Sequence, residues 1–161
     1  MQTRHKIGIL GATGVIGQRF IQLLEGHPWF EIVWLAASDK SSGKTYGEAT
    51  RWKLDTPLPS RIAAMMVSPA APEGAPGIIF AALDTDIARE LEPRFAAAGC
   101  AVISNSSAFR MQADVPLVIP EVNPSHLDLL ETQRHQRQHL KCSKSICQRP
   151  PDRRVRPLRT D

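Results

Sequence analysis

The chain has no run of 18 apolar residues, which excludes a helical membrane span of ordinary length. Its opening Met-Gln-Thr-Arg-His-Lys passes directly into a strand-like apolar pattern rather than a signal core, so the expectation is a cytoplasmic protein. Cysteine is scarce: Cys100, Cys142 and Cys147 form no C-x-x-C pair. That excludes a disulfide framework, favours reduced thiols and leaves metal ligation without support. Aromatic residues are 6% of the 161 and none lies beyond residue 133, so the end of the chain has no ring to stack on a nucleic-acid base.

Acidic residues are also missing from that end. Residues 1 to 133 carry 11 Lys and Arg against 14 Asp and Glu, whereas residues 134 to 161 carry 9 against 2. The formal charge of +4 therefore belongs to the tail. Residues 134–161 also hold Pro150, Pro151 and Pro157 and lack apolar periodicity, so they cannot bury enough surface to offset their ordering entropy. Two units are expected: a folded domain over 1–133 and a basic, disordered tail over 134–161. A basic tail can contact nucleic acid or an acidic protein, but with no aromatics and no recognition motif a nucleic-acid partner is not expected.

What is present is a strand, a glycine-spaced turn and a helix: Lys6-Ile-Gly-Ile-Leu, then Gly11, Gly14 and Gly17, then apolar residues at Ile16, Phe20, Leu23 and Leu24. Glycines at this spacing allow a tight turn, close approach to phosphate oxygens and close helix packing. The helix N-terminus then presents free N–H groups and a positive dipole end to an anion. Gly11, Gly14 and Gly17 are therefore candidate dinucleotide-binding positions.

Further strands are expected at 31–37, weakly at 65–68, at 77–83 and at 100–104, with an extended segment at 115–120. A helix capped by Asp84 or Asp86 should bury Ile87, Leu91, Phe95 and Ala98 and stop at Gly99, with Pro93 either kinking it or marking a later start. Asn123-Pro124 reads as a helix start with Asn123 as the cap. Strands alternating with helices predict an α/β, Rossmann-like, doubly wound parallel sheet with its ligand at the strands' carboxyl ends. At the end of the second strand, Ser38 and Ser41 beside Lys40 and Lys44 suit a 2′-phosphate, hence NADP; Asp39 next door would instead suit the free ribose of NAD.

Several separated motifs resemble the N-terminal half of aspartate-semialdehyde dehydrogenase of the archaeal and fungal type. They are Gly11-Ala-Thr-Gly-Val-Ile-Gly-Gln-Arg-Phe, His27-Pro-Trp-Phe, Ala37-Ser-Asp-Lys-Ser-Ser-Gly-Lys44, Tyr46-Gly-Glu-Ala-Thr-Arg-Trp52, Ser104-Asn-Ser-Ser-Ala-Phe-Arg-Met111 and Ile119-Pro-Glu-Val-Asn-Pro-Ser-His-Leu127. The resemblance implies an oligomeric NADP enzyme of amino-acid biosynthesis that reductively dephosphorylates aspartyl phosphate to aspartate semialdehyde through a cysteine thiolate. It implies that Thr13, Gly14, Val15 and Ile16 contact the cofactor phosphates, Ser38 and Ser41 the 2′-phosphate, and Ala82 and Leu83 the adenosine. Asn105 and Ser107 would line the nicotinamide site, and Arg110 would hold the substrate phosphate.

The sequence departs from the family where Asn-Pro-Asn-Cys should follow the 131–134 region. Cys147 stands at a plausible distance without that flanking motif and reads as an incidental thiol, so the chain alone is expected to bind cofactor without turnover. Two other readings are the equivalent half of N-acetyl-glutamyl-phosphate reductase and a non-catalytic NADP-binding module with a basic interaction tail.

Overall fold

The structure, a computed structural model, describes residues 3–138 and 146–148. The elements follow in the order β1 (His5–Leu10), α1 (Val15–Leu24), β2 (Phe30–Ala37), α2 (Tyr46–Ala49), α3 (Ser60–Ala63), β3 (Val67–Pro69), β4 (Ile78–Ala81), α4 (Thr85–Ala97) and β5 (Ala101–Ser104). A 3-10 turn at Pro124–Asp128 leads into α5 (Leu129–Gln138), and β6 (Ile146–Gln148) is the last strand.

All six strands lie in one sheet of order β3-β2-β1-β4-β5-β6, and every pairing is parallel. This is the Rossmann order, and it places the switch of winding direction between β1 and β4. A parallel sheet covered on both faces needs apolar residues on both, and two clusters supply them. Leu10, Trp34, Ala36, Ile79, Ala81 and Val102 join Phe95 and Ala96 of α4 on one face. Ile7, Ile9, Ile32, Leu35 and Ala37 join Ile21 and Leu24 of α1 on the other. Full burial of Ile21 and Phe95 is worth about 2 kcal/mol each.

The helices bury different faces from those that simple apolar spacing predicts. In α1 the buried residues are Gly17, Gln18, Ile21 and Leu24, while Ile16 and Leu23 are about half exposed. In α4 they are Ala88, Glu92, Phe95 and Ala96; Ile87 and Leu91 turn instead toward a cleft, and Ala98 is exposed. The physical reason is the same in both. One large apolar anchor per turn, Ile21 and Leu24 in α1 and Phe95 in α4, shares the contact with small or polar residues, and the remaining large apolar residues sit on the flank.

Asp84 is the N-cap of α4, Gly99 follows its end with φ 89°, and the helix runs unbroken through Pro93, so it does not start late. The 115–120 segment forms no named strand; Pro116 and Pro120 each lack an N–H for a ladder, and Val115 is simply buried. Asn123 does not cap the turn after it with its side chain. It binds backward instead, donating to the Leu117 carbonyl at 2.7 Å and accepting from the Ile119 N–H at 2.7 Å. The tail expected from residue 134 onward falls mostly on 139–145 and 149–161, outside the described residues. Within the described ones, α5 continues to Gln138 and β6 adds to the β5 edge. Strand addition rests on backbone hydrogen bonds, which apolar periodicity does not report.

Candidate functional site

A cleft of about 350 Å³ opens at the carboxyl ends of the central strands. It is lined by Gly11, Thr13, Gly14, Val15 and Ile16 after β1, by Ala37 and Ser38 at the end of β2, by Ala70 after β3, and by Ala82, Leu83 and Asp84 after β4. Ile87 and Leu91 of α4 complete it. The position is the switch point between β1 and β4, where open α/β sheets take their ligands.

The three glycines do different things. Gly11 has φ +81°, and a Cβ there would lie 2.3 Å from the Ala82 carbonyl oxygen. A Cβ on Gly17 would lie 2.3 Å from the Gly11 carbonyl oxygen and 2.8 Å from the Ala12 Cα, so only glycine lets α1 sit this close to the turn. Gly14 is the contrast. Its φ is an ordinary −72°, and the nearest atom to an added Cβ is 3.5 Å away. The protein does not need glycine at 14 for its own packing, and Gly14 lines the cleft.

Gly14 is the N-cap of the 10-residue α1, whose first turn contains no acidic residue and receives no side-chain cap. The first N–H groups of a helix have no acceptor within it, and with the dipole's positive end they favour an anion.

The turn is fixed from behind. The Gly11 and Ala12 N–H groups both donate to the Ala36 carbonyl, at 2.9 and 3.0 Å. The Tyr46 hydroxyl donates to the Ala12 carbonyl at 2.8 Å, and Gln18 Nε2 donates to the Thr13 carbonyl at 3.0 Å and to the Arg51 carbonyl at 3.0 Å. Gln18 Oε1 in turn accepts the Lys53 N–H at 2.8 Å. Tyr46 and Gln18 are fully buried, and burial pushes the Tyr46 phenol up to about 12 against a smaller opposing hydrogen bond from Thr50. Neither residue stands out as a site residue in the sequence. The available signal for Gln18 is a polar side chain on the stripe it shares with Ile21 and Leu24.

Of the other expected site residues, Gly17 lies behind the turn rather than in the cleft, and Ser41 lies in the turn after β2, its N–H donating to the Ser38 carbonyl at 2.9 Å. Ser38 and Asp39 are both exposed, and Asp39 does not line the cleft. Asn105 and Ser107 are outside the cleft lining; the Ser107 hydroxyl meets that of Thr85 at 2.9 Å, which ties the loop after β5 to the start of α4. Arg110 is half-buried, with a buried Nε that has no hydrogen-bond partner among the described residues. Cys147 is on β6, in register with Ile103. Cys100 is buried in the apolar cluster under α4. No group of three or more His, Cys, Asp and Glu among the described residues could hold a metal ion. No helix among them is long and apolar enough to cross a membrane.

Beneath the same loop lies a buried carboxyl. Ser104 donates to Glu92 Oε1 at 2.5 Å and accepts the Ser106 N–H at 3.0 Å. Burial raises the Glu92 pKa to about 7, the Ser104 bond only partly opposing it.

The sequence family described as semialdehyde dehydrogenase, NAD binding domain, matches residues 6–130, which span the sheet from β1 to β5 and the whole cleft. The chain belongs to that family. As a semialdehyde dehydrogenase NAD-binding domain, it is 51% identical over 135 residues to the aspartate-semialdehyde dehydrogenase of Archaeoglobus fulgidus, covering 83% of this chain and 39% of that one. With the enzyme of Methanothermobacter thermautotrophicus it is 53% identical over 133 residues, covering 81% and 38%. A solved structure of aspartate-semialdehyde dehydrogenase with NADP from Candida albicans superposes with a TM-score of 0.82 at 42% identity, covering 91% of this chain and 42% of that one. The semialdehyde dehydrogenase domain described here thus spans about two fifths of the length of these relatives.

Proposed function

We propose that this chain is the NADP-binding portion of an aspartate-semialdehyde dehydrogenase, an enzyme that reductively dephosphorylates aspartyl phosphate to aspartate semialdehyde in the cytoplasm. The observation that carries the reading is the turn at 11–17: Gly14 is open where a ligand would lie, while Gly11 and Gly17 are filled by the protein itself. A nucleotide pyrophosphate fits such a cradle, and the reduced cofactor, NADPH, would supply the hydride and leave as NADP.

The chain's own residues bind and orient. Thr13, Val15 and Ile16 would direct backbone N–H groups at the pyrophosphate, Gly14, whose own N–H donates to the Gly11 carbonyl at 3.2 Å, would let it approach closely, and Ser38 with Ser41 would donate to the 2′-phosphate. Ala82, Leu83, Ile87 and Leu91 offer an apolar wall to the adenine. Asn105 and Ser107 would bound the nicotinamide end, where the Thr85–Ser107 contact fixes the loop. Arg110, whose planar guanidinium stays charged, would hold the substrate phosphate. No cysteine here carries the Asn-Pro-Asn-Cys motif, so the reading gives this chain binding without turnover.

Calorimetric titration tests it. The expected result is NADP binding stronger than NAD binding, with Gly14→Ala weakening NADP at least tenfold while leaving the unfolding midpoint unchanged. Equal affinity for NAD and NADP would remove the 2′-phosphate assignment. Product from the 161-residue chain with aspartate semialdehyde, phosphate and NADP would overturn the expectation of no turnover.

A further inference from the structure

We propose that Tyr46 and Gln18 are positioning residues of the dinucleotide cradle: Tyr46 sets the direction of the Thr13 N–H by capturing the carbonyl on its far side, and Gln18 locks the next peptide plane so that the turn keeps this orientation. The inference rests on the pyrophosphate reading of the cleft.

Each peptide plane is trans, so its N–H points opposite to its C=O. With the Ala12 carbonyl held by the Tyr46 hydroxyl at 2.8 Å, the Thr13 N–H in the same plane points away from Tyr46. Gln18 holds the next carbonyl, that of Thr13, at 3.0 Å, with the Thr50 hydroxyl farther off at 3.4 Å, while the Gly14 N–H of that plane turns inward to the Gly11 carbonyl at 3.2 Å. Two successive planes are thereby fixed by two side chains that do not themselves line the cleft. The anchors come from separate segments. Gln18 is on α1, and Tyr46 begins α2, where the Glu48 carboxylate accepts both the Thr45 N–H at 3.1 Å and the Thr45 hydroxyl at 2.7 Å. Gln18 also spans to the chain beyond α2, bonding the Arg51 carbonyl and the Lys53 N–H, so the α2 segment and the turn move as one unit.

Without the Tyr46 hydroxyl, the Ala12 carbonyl becomes a buried acceptor with nothing to accept. Its plane can then rotate, carrying the Thr13 N–H off the anion. An anion that needs the turn should notice this; a ligand that uses only the Ser38 side of the cleft should not. The experiment therefore compares two ligands on the intact 161-residue chain. One is NADP; the other is 2′-phosphoadenosine, which keeps the 2′-phosphate and adenine but has no pyrophosphate.

Tyr46→Phe is expected to weaken NADP about tenfold, the size of one supporting hydrogen bond lost with its acceptor left buried. It should change 2′-phosphoadenosine less than twofold. An equal weakening of both ligands, or no change in either, overturns the inference while leaving the cradle intact. A wild-type chain that binds neither ligand overturns the cradle reading and the inference with it. Should the Phe variant fail to fold, Gln18→Met removes the shorter of the two side-chain donors to the Thr13 carbonyl at similar volume, leaving the Thr50 hydroxyl at 3.4 Å, and is judged by the same ratio of the two affinities.

Discussion

The carboxyl ends of β1 and β5 open on the same side of the sheet but are finished differently. After β1, the carbonyls of Ala12 and Thr13 and the N–H groups of Gly11 and Ala12 all have partners, drawn from β2, α1 and α2. After β5, Ser104 and Ser106 are tied to Glu92, yet Glu92 Oε2 and Arg110 Nε are both buried with no hydrogen-bond partner among the described residues. Buried polar atoms ordinarily find partners, so such exceptions mark a place where the local structure is not complete in itself. The first end is rigid on the chain's own residues. The second holds a loop in position but leaves two polar groups unanswered.

The largest way to break this contrast is to attack the rigid end. Gly17→Ala would drive a Cβ to 2.3 Å from the Gly11 carbonyl oxygen, and the expected loss is about 3 kcal/mol of stability or more, read from the urea midpoint. A Gly17→Ala chain as stable as the wild type would mean that α1 can slide outward and that the turn is not rigid.

The second test addresses the unanswered end. Glu92 titrates ordinarily near 4.5 and near 7 in the folded chain, so between these values the folded state holds a proton that the unfolded state has released. The stabilisation is fully present below 4.5 and is lost as pH rises through about 7, a change of about 3 kcal/mol at most. Unfolding midpoints of Glu92→Gln should lack this pH dependence, since an amide still accepts the Ser104 hydroxyl and never ionises. A wild-type chain of constant stability across that window would place Glu92 in contact with water or a cation.

The smallest effect sets a baseline away from both ends. Arg61 on α3 meets Glu25 at 2.7 Å, both partly exposed, and donates to the Ile32 carbonyl at 3.0 Å. Replacing it with methionine should cost about 0.5–1 kcal/mol and less in high salt. A larger loss would show that the sheet's two ends are not the only places held by polar contacts.

The contrast also explains what the sequence made legible. β1, β2, β4 and β5 are short runs of apolar and β-branched residues between breakers, and a parallel sheet requires that pattern, so their existence and order could be read directly. The glycine turn was legible because backbone geometry leaves so few alternatives to glycine at 11 and 17. Gln18 and Glu92 were not, because a polar residue on a helix reads as solvent-facing unless its buried partners are known, and those partners are 32 to 35 residues away for the contacts of Gln18 with Thr50, Arg51 and Lys53 and 12 away for Glu92. Ile87 and Leu91 misled in the other direction, since apolar spacing does not distinguish a core face from a cleft wall. β6 is only Ile146-Cys147-Gln148, too short for any periodicity to register.

One edge of the sheet has a further bearing on how the molecule behaves among its copies. β3 is only three residues long and ends in Pro69, which has no N–H to offer. Val67 already accepts the Gly43 N–H and donates to the Lys44 carbonyl, each at 2.9 Å, so an incoming strand would find almost no row of donors and acceptors to copy and this margin resists edge-to-edge polymerisation.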